Sequence, residues 1–190
     1  MKNNRGFTLI EILAVIIILG ILFMIGIPAV TESINDSRKS TFAESGIKYI
    51  DTAIDEINAF TFRVREVGIT YYIPLNCLEV EKGLETPFGT IEEGYVVVSP
   101  YNEEERDYYF TARDSSGHGI LLTNREQLDK SSVLTSIDKI YDDYYIEGDT
   151  KIVKYSESNC KTTSESNVVT GGYRSVDRKG SLSEGAYRNR

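Results

Sequence analysis

A single carboxylate lies inside the most apolar stretch of the chain, and it is the residue best placed to do chemistry. Residues 6–30 read GFTLIEILAVIIILGILFMIGIPAV, and Glu11 is the one charged side chain among them. An ionised carboxylate is unfavourable in an apolar environment unless a cation or a hydrogen-bond donor lies beside it. Because the stretch contains no basic residue, we expect a positive charge from another copy of the chain to be the partner of Glu11, which indicates assembly.

Residue types that support catalysis or metal binding are few. His118 is the chain's one histidine and lies between two glycines, which is typical of a surface turn. Cys77 and Cys160 are far apart in sequence, so one histidine and two distant cysteines cannot assemble a zinc site. The chain has neither a glycine-rich phosphate loop nor a nucleophile elbow. We therefore predict that the protein is not an enzyme and binds no metal or cofactor.

The charge balance argues against nucleic acid as the partner of the whole surface. The chain carries 29 acidic and 21 basic residues, for a formal net charge of −8, and such a surface repels a phosphate backbone. Acidic residues cluster at Glu103–Glu105 with Asp107, and at Asp142, Asp143, Glu147 and Asp149. Neither cluster has the spacing of an EF-hand, so we expect solvated loops here rather than a calcium site.

The apolar stretch is long enough to form a membrane-spanning helix. Ile12–Val30 contains no charged residue, and a helix of that length covers roughly 30 Å. Lys2 and Arg5 precede it, which places the N-terminus in the cytoplasm and the rest of the chain outside. An uncleaved anchor predicts the same topology. A secretory signal peptide cleaved near Thr31 fits less well, because its apolar core is shorter and carries no carboxylate.

Helical spacing continues beyond the apolar stretch. Isoleucines recur along one face at Ile47, Ile50, Ile54 and Ile57. We predict one helix of about 54 residues, apolar all round over residues 7–30 and amphipathic over 31–62. Pro28 removes a backbone hydrogen bond, so it is either a hinge or a proline that the helix tolerates.

From Gly68 the pattern changes to short β-rich runs separated by turn residues. The predicted strands are Ile69–Ile73, Tyr95–Val98, Tyr108–Ala112, Ile120–Thr123 and Lys151–Tyr155. Residues 124–140 read as a short capped helix or an irregular segment. The spacing of the predicted strands favours an antiparallel meander. We therefore predict an α+β fold in which the long helix packs on a small antiparallel sheet over residues 63–160.

The last part of the chain is polar. Residues 161–190 have few large apolar side chains, and we expect them to form a flexible tail. From residue 171 on the tail has five basic residues, which either touch DNA or an anionic cell-wall polymer or are simply solvated: Arg174, Arg178, Lys179, Arg188 and Arg190. Three tyrosine pairs are either contact faces between subunits or half-buried strand positions, namely Tyr71-Tyr72, Tyr108-Tyr109 and Tyr144-Tyr145.

The N-terminal residues resemble a known family. Gly6, Phe7 and the run Thr8-Leu9-Ile10-Glu11, behind a short basic leader and before an apolar stretch, are similar to the N-terminus of type IV pilins and related pseudopilins. In that family a prepilin peptidase cuts after the glycine, and the new N-terminal residue is methylated. The resemblance therefore implies a leader over residues 1–6 and methylation of Phe7. It also implies that Glu11 pairs with the Phe7 amine of a neighbouring subunit, and it places Pro28 where many members weaken the helix.

The resemblance implies a structural subunit of a type IV pilus or related filament, membrane-inserted with its head outside before assembly and at the cell surface afterwards. The implied partners are other copies or related pilins, the prepilin peptidase, an assembly platform with its ATPase, the membrane, and a surface or DNA target that the sequence does not identify. Two alternatives stay open: a pseudopilin of a secretion or DNA-uptake machine, and a monomeric membrane-anchored extracellular binding domain.

The chain has two cysteines, which are 83 residues apart. In an exported, oxidising environment Cys77 and Cys160 either form a disulfide or remain buried thiols. Many members of the family close a smaller loop near the C-terminus than this pair would close. A bridge would join the early strand region to the segment just before the tail.

Overall fold

The protein, described here by a computed structural model, divides into two compact units, Met1–Ser37 and Arg38–Arg190. One helix, α1 (Leu9–Asn58), begins in the first unit and ends in the second. The residues that the structure describes are 8–81, 83–102, 105–140, 144–168, 172, 174–176 and 178, without the side chains of residues 25, 26, 29, 163 and 164.

The second half of α1 is amphipathic, as the isoleucine spacing predicts. Ile50 and Ile57 are buried, and Ile47 and Ile54 are partly buried against the same core. At Gly46 the helix comes so close to the sheet that an added Cβ would lie 2.8 Å from the Phe110 ring. The missing side chain therefore lets the helix pack directly on a strand, which confirms the predicted α+β arrangement.

The strands that follow α1 among the described residues are short to medium in length. They are β1 (Ile69–Pro74), β2 (Ile91–Pro100), β3 (Arg106–Asp114), β4 (Gly119–Asn124), β5 (Val133–Leu134), β6 (Tyr144–Ile146), β7 (Lys151–Tyr155), β8 (Thr162–Asn167) and β9 (Arg174–Val176). Seven of them form one sheet in the order β5-β4-β3-β2-β1-β7-β8. All five predicted strands are present, and β1 to β5 form the predicted antiparallel meander.

The sheet differs from a pure meander at one pairing. Strand β7 runs parallel to β1, with Ile69 opposite Lys151, and β8 pairs antiparallel with β7. The sequence of β7 marks a strand but not its neighbour, because the pairing depends on a long return connection.

Both faces of the sheet are covered. On β1, Tyr71 and Ile73 point into the core beneath α1, whereas Tyr72 belongs to a second core on the opposite face. Successive side chains of a strand alternate between faces, so a strand buried on both sides reads as a continuous apolar run. The tyrosine pairs are explained in the same way, since Tyr109 and Tyr144 are also buried in the second core.

The second core is covered by a small two-stranded ribbon of β6 and β9, which pair in parallel. This layer differs from the predicted flexible tail after residue 160. Strand β8 takes up the free backbone groups of β7, and Val168 and Val176 are buried in the second core. These elements are not predictable from the polar composition of the segment, because backbone pairing and two buried valines are enough to hold them in place.

The segment after β4 is irregular, which is one of the two alternatives predicted for residues 124–140. Residues 125–127 and 130–132 form short 3-10 turns. Asn124 caps the first turn by accepting a hydrogen bond from the Glu126 N–H, and Asp129 caps the second by accepting from Ser131 and Ser132. The caps follow each other too closely for an α-helix to form between them.

Candidate functional site

Glu11 lies in the first turn of α1. Its Oε2 accepts hydrogen bonds from the Thr8 backbone N–H and from Thr8 Oγ1, both at 2.8 Å. In return the Glu11 N–H donates to Thr8 Oγ1 at 3.3 Å. Thr8 and Glu11 therefore form a capping box, which satisfies backbone groups at the helix start.

This capping box corrects one step of the sequence analysis. We expected Glu11 to find no partner within its own segment, but Thr8 supplies two donors. The T-x-x-E spacing at the start of an apolar run is itself a helix-start signal. The Oε1 atom accepts no hydrogen bond from any described residue, so the carboxylate keeps one oxygen for a further partner. Gly6 and Phe7 lie outside the described residues.

The first part of α1 exposes its apolar side chains on every side. Among the described side chains between Leu9 and Val30, fifteen large apolar ones have between 45% and 90% of their surface accessible. A monomeric protein in water rarely leaves so large an apolar surface uncovered. Among the described residues, no helix combines the length and the hydropathy that a membrane crossing requires.

Pro28 lies inside α1, and the helix continues through it. Three residues later Thr31 Oγ1 donates to the Ile27 carbonyl at 3.0 Å, one turn back. Threonine hydroxyls that bond in this way are tolerated in helices and often accompany a bend. The hinge at Pro28 stays a prediction.

A disulfide joins Cys77 and Cys160, which are 83 residues apart in sequence. Cys77 lies in a 3-10 turn directly after β1, and Cys160 lies in the turn between β7 and β8. Beside the bridge, Asn76 Nδ2 donates to the Glu157 carbonyl at 2.7 Å. The bridge thus ties the β7–β8 turn to the end of the strand that β7 pairs with.

We predicted solvated loops for the acidic clusters, but one member, Asp149, is buried in the head. Asp149 Oδ2 accepts from Thr70 Oγ1 at 2.7 Å and from Ser99 Oγ at 2.8 Å. Oδ1 has no hydrogen-bond donor among the described residues, and Arg178 Nη2 lies 3.7 Å from it. Burial raises the pKa of Asp149, and the two hydroxyls and Arg178 lower it in part.

Arg178 holds the end of the described chain onto the sheet. Its Nη1 donates to Asp107 Oδ2 at 2.9 Å, and its own carbonyl accepts a hydrogen bond from Tyr109 at 2.8 Å. The sequence analysis placed Arg178 in a solvated or polymer-binding tail. Nothing in the local sequence marks this contact, because both hydrogen-bond partners lie at least 69 residues away.

His118 lies in the turn between β3 and β4, as predicted. Its ring stacks on Phe88 with centroids 3.9 Å apart, and its Nδ1 is 2.7 Å from Ser116 Oγ. Asp114, which is buried, accepts from the Ser116 and His118 backbone N–H groups. These contacts are those of a packed turn. In the described part of the chain, no three histidine, cysteine or acidic side chains converge in a way that could hold a metal ion.

Comparison with known proteins decides the family. Residues 1–27 match the family model described as "Prokaryotic N-terminal methylation motif". Over 118 residues the chain is 30% identical to the Type II secretion system core protein G of Pseudomonas aeruginosa, an alignment that covers 61% of this chain and 79% of that protein. The chain belongs to the pilin-like family with an N-terminal methylation motif. No solved structure matches it.

The pilin-like family is structural rather than catalytic, and its fold agrees with the long helix packed on a mainly antiparallel sheet. The segment that matches the methylation motif contains Thr8 and Glu11, so the capping box lies within it. It also contains most of the exposed apolar side chains of α1. The segment that matches the methylation motif is therefore also the part of the described chain with the most uncovered apolar surface.

Proposed function

We propose that the protein is a pseudopilin-type subunit of a secretion machine, inserted in the cell membrane through residues 7–30 before it packs with other copies. The observation that carries the proposal is the set of fifteen exposed apolar side chains on the first part of α1. Lipid or a neighbouring apolar helix has to cover such a surface. The likeness to a protein named as a component of a type II secretion system favours this reading over a pilus.

The proposed register between subunits comes from Glu11. Cleavage after Gly6 would leave Phe7 with a free α-amino group, which is cationic at neutral pH because its ordinary pKa is about 8. Glu11 Oε2 is occupied by Thr8, whereas Oε1 has no described donor. The amine of a neighbouring subunit binds at Oε1 while the capping box stays intact. The carboxylate thus serves one helix start and one subunit contact at the same time.

The proposed topology places the head outside the membrane. Lys2 and Arg5 hold the leader in the cytoplasm, and an oxidising exterior preserves the bridge between Cys77 and Cys160. The partners are a prepilin peptidase, which cuts after Gly6, an assembly platform driven by a cytoplasmic ATPase, and further copies of the chain. The apolar surface passes from lipid to neighbouring helices, so the change in buried area is small and assembly needs an external energy source.

A type IV pilus subunit is the second candidate, favoured by the methylation motif that both classes carry. A monomeric membrane-anchored binding domain is the third. The number of copies in sheared surface filaments separates a pilus subunit from a pseudopilin, which forms no abundant surface fibre. Glu11 variants separate both from a monomeric anchor.

Mass spectrometry of the N-terminal peptide tests the processing step. The expected peptide, from protein purified out of its native membrane, begins at Phe7 and carries one added methyl group. A peptide that begins at Met1, with the peptidase present, would leave a plain anchor. A peptide that begins after Thr31 would indicate a secreted soluble protein.

Three variants test the register. Glu11→Gln keeps a side chain that can complete the capping box but removes the charge, so we expect membrane insertion to persist and assembly to fail. Thr8→Val removes the cap but keeps the carboxylate, so assembly should persist. Glu11→Ala removes both the capping side chain and the charge, so assembly should fail as it does in Glu11→Gln. Crosslinking of membrane-inserted protein measures assembly, and wild-type assembly of the Glu11→Gln variant would refute the pairing with Phe7.

A further inference from the structure

The end of α1 carries a residue that its backbone conformation disfavours. Phe60 has a φ of 63°, and its N–H donates to the Ile57 carbonyl while the Thr61 N–H donates to the Glu56 carbonyl. This is a Schellman motif, whose left-handed position is usually glycine. A bulky side chain there is a genuine outlier, and strain that persists in a fold is a reason to look for function.

The Phe60 side chain gains little from the fold in return. It is 67% exposed, and the contact recorded for its ring is the Arg65 guanidinium, 4.7 Å from the ring centroid. Val67, in the same loop, is 53% exposed. Two exposed apolar side chains and a guanidinium therefore lie in one short loop, and two of these three side chains are in contact.

Buried side chains and two hydrogen bonds to the sheet hold this loop, residues 60–67, in place. Phe62 and Val64 are buried between the exposed residues. The Arg63 N–H donates to the Tyr155 hydroxyl at 2.9 Å, and the Arg106 guanidinium donates to the Val64 carbonyl at 3.2 Å. A surface that is ordered before binding loses less entropy when a partner docks. We call four of the exposed side chains the loop patch, namely Phe60, Arg63, Arg65 and Val67; the same loop also exposes Glu66, so two arginines stand against one carboxylate.

The charge of the loop patch contrasts with that of the chain. The whole chain has a net charge of −8, so copies repel each other unless basic and acidic surfaces face each other. After β1 the chain exposes three carboxylates, Glu79, Glu81 and Glu85. They have no ion pair with any described residue, and Lys82 of the same segment lies outside the described residues. We call the three carboxylates the acidic turn.

The two surfaces cannot meet within one chain. The loop patch precedes β1 and the acidic turn follows it, and a six-residue strand spans about 20 Å. The placement of α1 agrees: the Tyr49 hydroxyl donates to the Gly83 carbonyl in the acidic turn, and Phe60 follows Tyr49 by about 16 Å of helix. A contact between them therefore joins different copies, head to tail, which builds an open array rather than a closed dimer.

We propose that the loop patch docks on the acidic turn of a second copy, with Phe60 inserted between the two charged surfaces. This contact rests on the proposed function, because it joins the globular heads of assembling subunits. It adds to the Glu11 pairing an interface that lies outside the apolar helix. A strained, exposed aromatic side chain at its centre has the character of an interface hot spot.

The first experiment separates folding from docking in the full chain purified in detergent micelles. Phe60→Gly relieves the backbone strain and keeps the helix cap, so we expect a higher melting temperature together with about tenfold or greater weakening of self-association. Leu134→Ala is the matched control, since Leu134 is exposed on β5 outside the loop patch. A Phe60→Gly variant that associates like wild type would overturn the proposal.

Charge reversal supplies a second test that does not depend on Phe60. Arg65→Glu should weaken self-association about tenfold, and Glu81→Lys combined with it should restore most of the loss. Failure of the double variant to recover, with both single variants folded, would contradict docking on the acidic turn.

The Glu11→Gln variant keeps this proposal distinguishable from the proposed function. If Glu11→Gln abolishes assembly in membranes while the loop-patch variants assemble normally, the proposed function stands and the head contact is refuted. If the loop-patch variants lose association while Glu11→Gln does not, the head contact stands and the Glu11 pairing is refuted.

Discussion

Replacing Asp149 tests how one buried carboxylate supports the head. Its Oδ2 is the acceptor for the hydroxyls of Thr70 and Ser99, and Thr70 Oγ1 in turn accepts from the Ile146 N–H at 2.9 Å. Asp149→Ala leaves two buried hydroxyl donors without this acceptor. A stranded buried donor costs about 1–3 kcal/mol, so we expect the free energy of unfolding to fall by roughly 2–5 kcal/mol.

Asp149→Asn is the matched control. Its amide oxygen can take the place of Oδ2, and the substitution removes a buried charge whose nearest cation, Arg178, is 3.7 Å away. Replacing a buried charge while keeping its hydrogen bonds is often close to neutral, so we expect a change within about 1 kcal/mol. Urea unfolding of the full chain in micelles, followed by tyrosine fluorescence at pH 7, measures both variants.

The comparison between the two variants is what refutes or supports the reasoning. If Asp149→Asn is as destabilising as Asp149→Ala, the ion pair with Arg178 outweighs the hydroxyl contacts and the account above fails. If neither variant changes the urea midpoint, Thr70 and Ser99 find other acceptors and the junction has no energetic role.

Three further predictions concern stability. Lowering the pH from 7 to 4 should stabilise wild type relative to Asp149→Asn, because burial raises the pKa of Asp149 in the folded state. The folded chain then binds the proton more tightly than the unfolded chain, so this contribution is complete below the ordinary aspartate pKa and is lost as the pH rises through the raised value; equal midpoint differences at both pH values would contradict it. Replacing Cys77 and Cys160 by serine should lower the free energy of unfolding by about 4–5 kcal/mol, given the 83-residue separation; urea unfolding measures it, and a loss below about 1 kcal/mol would exclude the chain-entropy account. Gly46→Val should destabilise the head by about 1–3 kcal/mol, because a Cβ at this position meets the Phe110 ring at 2.8 Å. Gly20→Ala, where an added Cβ meets no atom beyond its own stretch of helix within 4 Å, should leave the melting temperature of the head unchanged.

Periodic segments were predictable from sequence. The isoleucine stripe of α1 marks the buried face correctly, and β7 has the predicted bounds, Lys151–Tyr155. These features depend on local spacing, since an apolar face repeats with the geometry of its own helix or strand. The capping role of Glu11 was also readable from its spacing to Thr8, although the search for a distant charge obscured it.

Features that depend on long-range contacts were not predictable. The burial of Asp149 requires hydroxyls from two strands that are 79 and 50 residues earlier in the chain. Strands β6 and β9 are three residues each, too short to show a period. The strain at Phe60 has no sequence signal either, because the sequence at a helix end shows glycine when strain is avoided but nothing when it is accepted.

The parallel pairing of β1 with β7 has a consequence for the order in which the head folds. Ile69 cannot pair with Lys151 until β7 has been synthesised. At 5–20 residues per second the ribosome needs roughly 4–16 s to make the chain between them. During that interval one edge of β1 has no neighbour, and an open edge recruits other strands. The meander forms early from local contacts, while the last third of the chain sets the completion time. A chaperone or a tether that keeps unfinished heads apart would therefore protect this open edge until β7 is made.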